Sequence, residues 1–364
     1  MRRLVLACLL FCSTALRPTV GVVRADDKEA PRPLVGTHVV STPAEVRFVD
    51  AAGQPLGTAR GGTVLDVLDS EGEMLRVERG WIKRSDVVPQ GEAIEYFSEQ
   101  LRQRPTAVAY ASRARTWNYL GEYDKAIDDC DAALELDADC AMAYDRRAQA
   151  LTAKGRVDEA LADFERAIHL TPGYASAYSH RARAWLEKGE YDKSLADCDE
   201  ALRLDSRIYL AHYLRGRVWT RRKAPDKAIA SYSRAIDLNP HYVPALNARG
   251  NEWFFSKKFS EAEADYSAAI RLDPKFDIVH VHYNRGNARL YLGKAALAKD
   301  DYKQALKYDE NYVPAMQGLA ACFAAQNDYE SAIEWQARAV KMSKREQQPK
   351  LKSVLAHYQA ARKK

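Results

Sequence analysis

Arginine and aspartate recur through this chain at fixed separations. Arg113, Arg147, Arg181, Arg215 and Arg249 follow one another every 34 residues, and Arg285 continues the column. Asp129, Asp163, Asp197, Asp265 and Asp301 each lie 16 residues beyond one of these arginines. A guanidinium meets a carboxylate through two parallel hydrogen bonds. The columns therefore suit a ladder of ion pairs or a row of arginines facing an acidic ligand. Their regularity favours the ladder, with partners inside one unit or across a junction. Exposed pairs of this kind contribute only about 0–1 kcal/mol each.

The remaining reactive side chains form no recognisable catalytic set. No HExxH or GxSxG motif is present. Gly286 to Gly293-Lys294 has the wrong spacing for a phosphate loop, and Ala295 stands where its Ser or Thr belongs. Asp128, Asp129 and Asp131 point in different directions on a helix, and Cys130 faces inward. His280 and His282 are two residues apart, so a helix does not put them on one face. Cys130, Cys140, Cys198 and Cys322 include no CxxC pair and no zinc spacing. No enzyme, cofactor or metal is expected.

These side chains belong to a chain of 364 residues, 47% hydrophobic and 29% charged, enough for a packed fold. Of its formal charge of +5, four come from Arg2, Arg3, Arg17 and Arg24, in a start that holds no acid. The rest is nearly neutral, so no nucleic-acid partner is expected. Met1 to Arg3 is basic, Leu4 to Leu16 is apolar, and Val23-Arg24-Ala25 places modest side chains before Asp26. That order predicts a signal peptide over 1–25 and export to the periplasm, the cell envelope or the medium. A retained anchor is the alternative, although 13 apolar residues make a short span. Lys341 to Lys364 carries +7, which suits the solvated face of a terminal helix or attraction to an anionic membrane surface.

Small residues keep the same 34-residue pitch: Ala126, Ala160, Ser194, Ala228 and Ala262, and Ala133, Ala167, Ala201, Ala235 and Ala269. Gly121, Gly155, Gly189, Lys223 and Lys257 form another column. Two inserted residues precede Tyr283, after which Gly293, Ala298 and Ala305 resume the pattern. Ala114, Ala148, Ala182, Gly216, Gly250, Gly286 and Ala320 sit eighth in their units, and Cys130, Phe164, Cys198, Tyr232, Tyr266 and Tyr302 form a bulkier column. This pattern resembles the tetratricopeptide repeat. The resemblance implies a mainly α fold, a right-handed solenoid of helix pairs whose first helices line a concave groove. Seven units over 107–346, a capping helix within 91–106, and a capping helix with a basic tail over 347–364 give about sixteen helices.

Ahead of the repeats, beyond a linker at 26–33, residues 34–90 alternate short β-type runs with turns: Gly36 to Val40, Glu45 to Val49, Val64 to Leu68, Met74 to Glu78 and Trp81 to Lys83. Gly80-Trp81-Ile82-Lys83-Arg84-Ser85-Asp86-Val87-Val88 resembles the closing part of a bacterial SH3-like domain, which implies a small β-barrel. Trp81 is its candidate contact residue, with packing against the barrel as the alternative.

The repeat resemblance also implies which places face the groove: the second, fifth, ninth, twelfth and thirteenth of each first helix. These hold Arg115, Asn118 and Tyr119 in the first unit, Gln149 in the second and Arg183 in the third. Tyr213, Arg217 and Arg221 follow in the fourth; Asn247, Asn251, Phe254 and Phe255 in the fifth; Tyr283, Asn287 and Tyr291 in the sixth. Arginine binds carboxylates and asparagine clasps a peptide backbone. The expected function is an exported, non-enzymatic interaction scaffold whose partner is a protein or extended peptide, with acidic character favoured. The alternatives are a cell-wall or envelope binder acting through the SH3-like segment, and an accessory subunit of an envelope enzyme.

Overall fold

A computed structural model describes residues 38–363 except 43–44, 61–63, 68 and 78–79. The proposed signal peptide and linker lie outside these residues. Eight short strands come first: β1 His38–Ser41, β2 Glu45–Val49, β3 Pro55–Arg60, β4 Val64–Asp66, β5 Asp69–Glu71, β6 Met74–Val77, β7 Gly80–Lys83 and β8 Val87–Pro89. They form two antiparallel sheets, in the orders β4-β1-β8 and β3-β2-β7-β6-β5. Among the described residues the ladders do not join into one closed barrel. The sheets share a core: Val39, Leu65 and Val87 from one meet Phe48, Leu75, Val77 and Ile82 from the other. Ile82 enters that core, so its neighbour Trp81 points the other way and is half-buried.

Sixteen α-helices follow. The first, α1 (Ala93–Gln103), buries Ala93 and Phe97 against Val40 and so joins the sheets to the repeats. The pairs are α2 (Ala107–Leu120) with α3 (Tyr123–Leu136), α4 (Ala141–Ala153) with α5 (Val157–Leu170), and α6 (Ala175–Lys188) with α7 (Tyr191–Leu204). Next come α8 (Tyr209–Arg221) with α9 (Pro225–Leu238), and α10 (Val243–Phe255) with α11 (Phe259–Leu272). The last are α12 (Ile278–Tyr291) with α13 (Ala295–Tyr308), and α14 (Val313–Ala325) with α15 (Tyr329–Met342). The two inserted residues lengthen the turn before α12, which begins after Asp277 in a left-handed conformation (φ 40°). Leu351 of the final helix, α16 (Gln348–Arg362), is buried, and its carbonyl accepts from Gln336 Nε2 at 2.9 Å. Among the described residues no helix is long and apolar enough to cross a membrane.

Each pair closes on its eighth residue. A Cβ added to Gly216, Gly250 or Gly286 would lie 2.4–2.8 Å from the ring of Tyr232, Tyr266 or Tyr302 on the paired second helix. Where the second helix offers the smaller Cys130 or Cys198, the first helix carries Ala114 or Ala182, and both members are fully buried. Phe164 with Ala148 is the intermediate case. The four described cysteines form no disulfide and are buried, and burial raises the thiol pKa of Cys130 and Cys198. They act as small apolar fillers.

Candidate functional site

The Arg–Asp columns pair within each unit. Arg113 grips Asp129, Arg147 grips Asp163, Arg181 grips Asp197 and Arg249 grips Asp265, each through Nε and Nη2 at 2.6–2.8 Å. Arg285 holds Asp301 at 2.7–3.2 Å. The remaining nitrogen often reaches back across the junction: Arg113 to Ser98 at 2.9 Å, Arg147 to Asp131 at 2.6 Å, Arg249 to Ser233 at 3.0 Å. Arg215, which faces Ser231 rather than an aspartate, pairs only backward, with Asp199 at 3.4 Å. These arginines are therefore engaged in holding each unit together and onto the one before it.

The first helices pack beside one another, α2 on α4 and α6 on α8. The residues on the face they form fall into three stretches.

The N-terminal stretch centres on Asp145, which is fully buried on α4. It accepts from Tyr174 Oη at 3.0 Å, Gln149 Nε2 at 3.0 Å and Arg146, and it meets His180 Nδ1 at 2.8 Å. Burial favours its neutral form, but the charges of His180 and Arg146 and the bonds from His180 and Tyr174 hold its pKa below the usual carboxylate range. Burial in turn lowers the pKa of His180, against the pull of Asp145. Arg146 is fully buried as well, and its Nε has no partner. Arg115 stands beside this cluster, and burial followed by repulsion from Arg146 lowers its pKa. An arginine keeps its proton in proteins, and the attraction of Asp145 offsets part of this repulsion. Among the described residues Arg115 has no hydrogen-bond or ion-pair partner. Asn118 is committed to the backbone carbonyl of Arg146 at 2.8 Å, and Tyr119 is exposed at the edge.

In the middle stretch, Arg183 and Arg221 are exposed and unpaired among the described residues. Arg217 meets Glu187 at 3.3 Å, so of these three groove arginines one is paired with an acid. Tyr213 is not a free groove residue. Its ring packs on Tyr232 and Tyr242 at 5.8 and 5.2 Å between centroids. Tyr283 repeats that arrangement with Tyr302 and Tyr312 at 5.9 and 5.4 Å.

The C-terminal stretch carries the asparagines. Tyr266 Oη donates to Asn251 Oδ1 at 2.7 Å, and Tyr302 Oη donates to Asn287 Oδ1 at 2.8 Å. Asn284 Nδ2 also reaches Asn251 Oδ1, at 3.2 Å. Their carbonyl oxygens are occupied by the tyrosines, and the amide N–H groups of Asn251 and Asn287 have no partner among the described residues and are not buried. Asn247 keeps a buried Oδ1 with no partner. Beside them Phe254, Phe259 and Tyr291 pack together, Phe259 and Tyr291 stacking at 4.6 Å. Phe255 and Tyr291 are 78% and 68% exposed, unusual for rings of that size.

Asp145, Arg146, Tyr174 and His180 escape a reading by groove places. Arg146 and His180 fall at the sixth place and Tyr174 in a turn. Asp145 does occupy the fifth place, and an acid there was the one available signal.

Among solved structures, the chain is similar to the APC/C hetero-tetramer Cut9-Hcn1, with 17% identity over 74% of this chain and a TM-score of 0.60. It spans about half, 52%, of that chain. Yeast Tom70 is similar at 20% identity, over 75% of this chain and 59% of its own, with a TM-score of 0.45. YrrB, described as a TPR protein with an unusual peptide-binding site, is similar at 22% identity, over 51% and 95%, with a TM-score of 0.41. No curated protein matches the chain significantly. The sequence pattern of the tetratricopeptide repeat matches residues 112–175, 146–207, 181–243 and 283–349, together more than half of the chain. With six of the seven helix pairs falling on these stretches, the chain belongs to the tetratricopeptide repeat family.

Proposed function

We propose that this protein is a non-enzymatic interaction scaffold that holds an extended peptide segment of a partner protein along its first-helix face. One observation carries the reading. Asn251 and Asn287, in consecutive units, give their carbonyl oxygens to Tyr266 and Tyr302, which leaves their amide donors accessible and unpartnered among the described residues. Oriented donors of that kind match the carbonyls of an extended backbone and lose little freedom on binding. The unpaired Arg183 and Arg221 favour an acidic partner. The activity is exported, a reading supported by the basic start and apolar run at the N-terminus, and the two N-terminal sheets serve as an SH3-like accessory module.

The test is capture of partners from an envelope fraction by the full chain and by two variants. Asn251→Asp with Asn287→Asp keeps an oxygen for each tyrosine and removes each amide donor. Capture of the same partner should fall about tenfold, on the order of 1.4 kcal/mol. Capture that survives this pair but is lost in Trp81→Ala would move the function to the sheets.

A further inference from the structure

The second unit carries small side chains around a cleft. Its twelfth and thirteenth places hold Thr152 and Ala153, where the first unit has Asn118 and Tyr119 and the fifth has Phe254 and Phe255. Its second helix opens with Val157, where Tyr123, Tyr191, Phe259 and Tyr329 stand elsewhere. The missing volume appears as a cavity of about 460 Å³ between α4, α5 and α6. That lies within the range of ligand sites, about 300–1,000 Å³. Phe164 and Val157 give it apolar walls, and Gln149, His180, Arg183 and Glu187, the last paired with Arg217, stand at its polar side.

His180 is set for one role there. Its Nδ1 lies against Asp145 at 2.8 Å, and Asp145 is itself fixed by Tyr174, Gln149 and Arg146. The ionised carboxylate accepts a hydrogen bond from Nδ1–H, which keeps the proton on Nδ1 and leaves a lone pair on Nε2. Nε2 has no partner among the described residues, and the ring borders the cavity. Three residues further along the same helix, exposed Arg183 lines the cavity with its charge unpaired.

We propose that this cleft is a specificity pocket of the peptide site, taking one aromatic side chain with a hydrogen-bond-donating tip, tyrosine above all, next to an acidic residue. The ring packs on Phe164 and Val157, the tip donates to His180 Nε2, and the adjacent carboxylate pairs with Arg183. An aliphatic side chain would fill the apolar part and leave Nε2 unsatisfied, and a basic neighbour would meet Arg183. The proposal rests on the first-helix face being a peptide site and adds which side chain it selects and where.

The experiment selects ligands for the full chain from a random nine-residue peptide library displayed on phage. Affinities of the selected peptides are then measured with two variants. Ala153 is the exposed last residue of its first helix, and Ala230 is exposed on the second helix α9, off the first-helix face. Ala153→Trp fills the cleft, and Ala230→Trp makes the same change away from the peptide site. Selected peptides should share an aromatic residue beside an acid. Replacing a peptide tyrosine by phenylalanine should weaken binding about three- to tenfold, the worth of one hydrogen bond. Ala153→Trp should weaken it at least about tenfold, Ala230→Trp should leave it unchanged, and Arg183→Gln should abolish the preference for the acid. Peptides without an aromatic residue, or equal affinity for Ala153→Trp and the parent chain, would overturn the pocket and leave the peptide-binding face standing. A library that yields no ligand would overturn both.

Discussion

Gly216→Ala should destabilise the fourth unit, against the usual direction of such a change. Inside a helix, alanine is favoured over glycine by about 1 kcal/mol. Here the new methyl would lie 2.4 Å from Tyr232 Cε1 and 2.5 Å from Cδ1. The ring has little room to yield. It is 2% exposed, its hydroxyl lies 3.0 Å from Thr220 Oγ1, and Tyr213 packs against it. Overpacking of a closed site costs about 1–3 kcal/mol. Contacts this short belong at the upper end, so the net loss should be about 1–2 kcal/mol. Tyr232→Cys alone leaves a cavity and should cost about 3–5 kcal/mol. The double variant recreates the Ala182 and Cys198 pair of the third unit and should be less damaging than the sum, with a coupling of about 1–3 kcal/mol. A repeat array need not unfold in one step. The measurement is therefore the urea midpoint together with hydrogen exchange resolved to α8 and α9. Gly173→Ala is the control: nothing lies within 4 Å, and a gain of about 0.4–1 kcal/mol is expected. A higher midpoint for Gly216→Ala, with additive effects in the double variant, would refute the idea that the tyrosine dictates the glycine.

Three other outcomes are expected. Lys257 sits at φ 59° where Gly121, Gly155 and Gly189 stand in other units, so Lys257→Gly should raise the thermal midpoint, by about 1 kcal/mol of stability. Asp265→Ala removes both bonds of half-buried Arg249 and should cost about 2 kcal/mol in urea unfolding, whereas Asp158→Ala, which breaks an exposed bridge to Lys188, should cost under about 0.5 kcal/mol. Burial raises the pKa of Asp301, but bonds from His282 and Arg285 and the charges of Arg285 and Arg289 outweigh it and hold it below the ordinary value. Its contribution is therefore present above about pH 4 and lost as pH falls through the depressed pKa. In acid titration, Asp301→Asn should be less stable at neutral pH and flatten the acid limb.

The repeat pitch, the helix pairs and the residues that fill their cores are legible in the sequence because they depend on short-range pattern. A small side chain every 34 residues, with a turn residue at a constant offset, admits few arrangements other than stacked helix pairs. The small β segment was legible as strands but not in its pairing, since pairing is set by contacts between strands distant in the chain. Tertiary structure alone settled the rest. The columns showed that Arg113 and Asp129 recur together, but only packing shows Arg113 closing on its own unit while it reaches back to Ser98. Asp145 and His180 are 35 residues apart and meet because stacking brings the fifth place of one unit against the sixth of the next. Asn251 looks like any solvated amide until Tyr266 is seen to rise from the second helix and occupy its oxygen. The cleft beside Ala153 is likewise an absence shared by α4 and α5, and a shared absence becomes a site only when the third wall, α6, closes over it. Periodicity specifies which residues face inward on each helix. Which inward groups touch one another depends on how neighbouring helices cross, and that is decided by the whole stack.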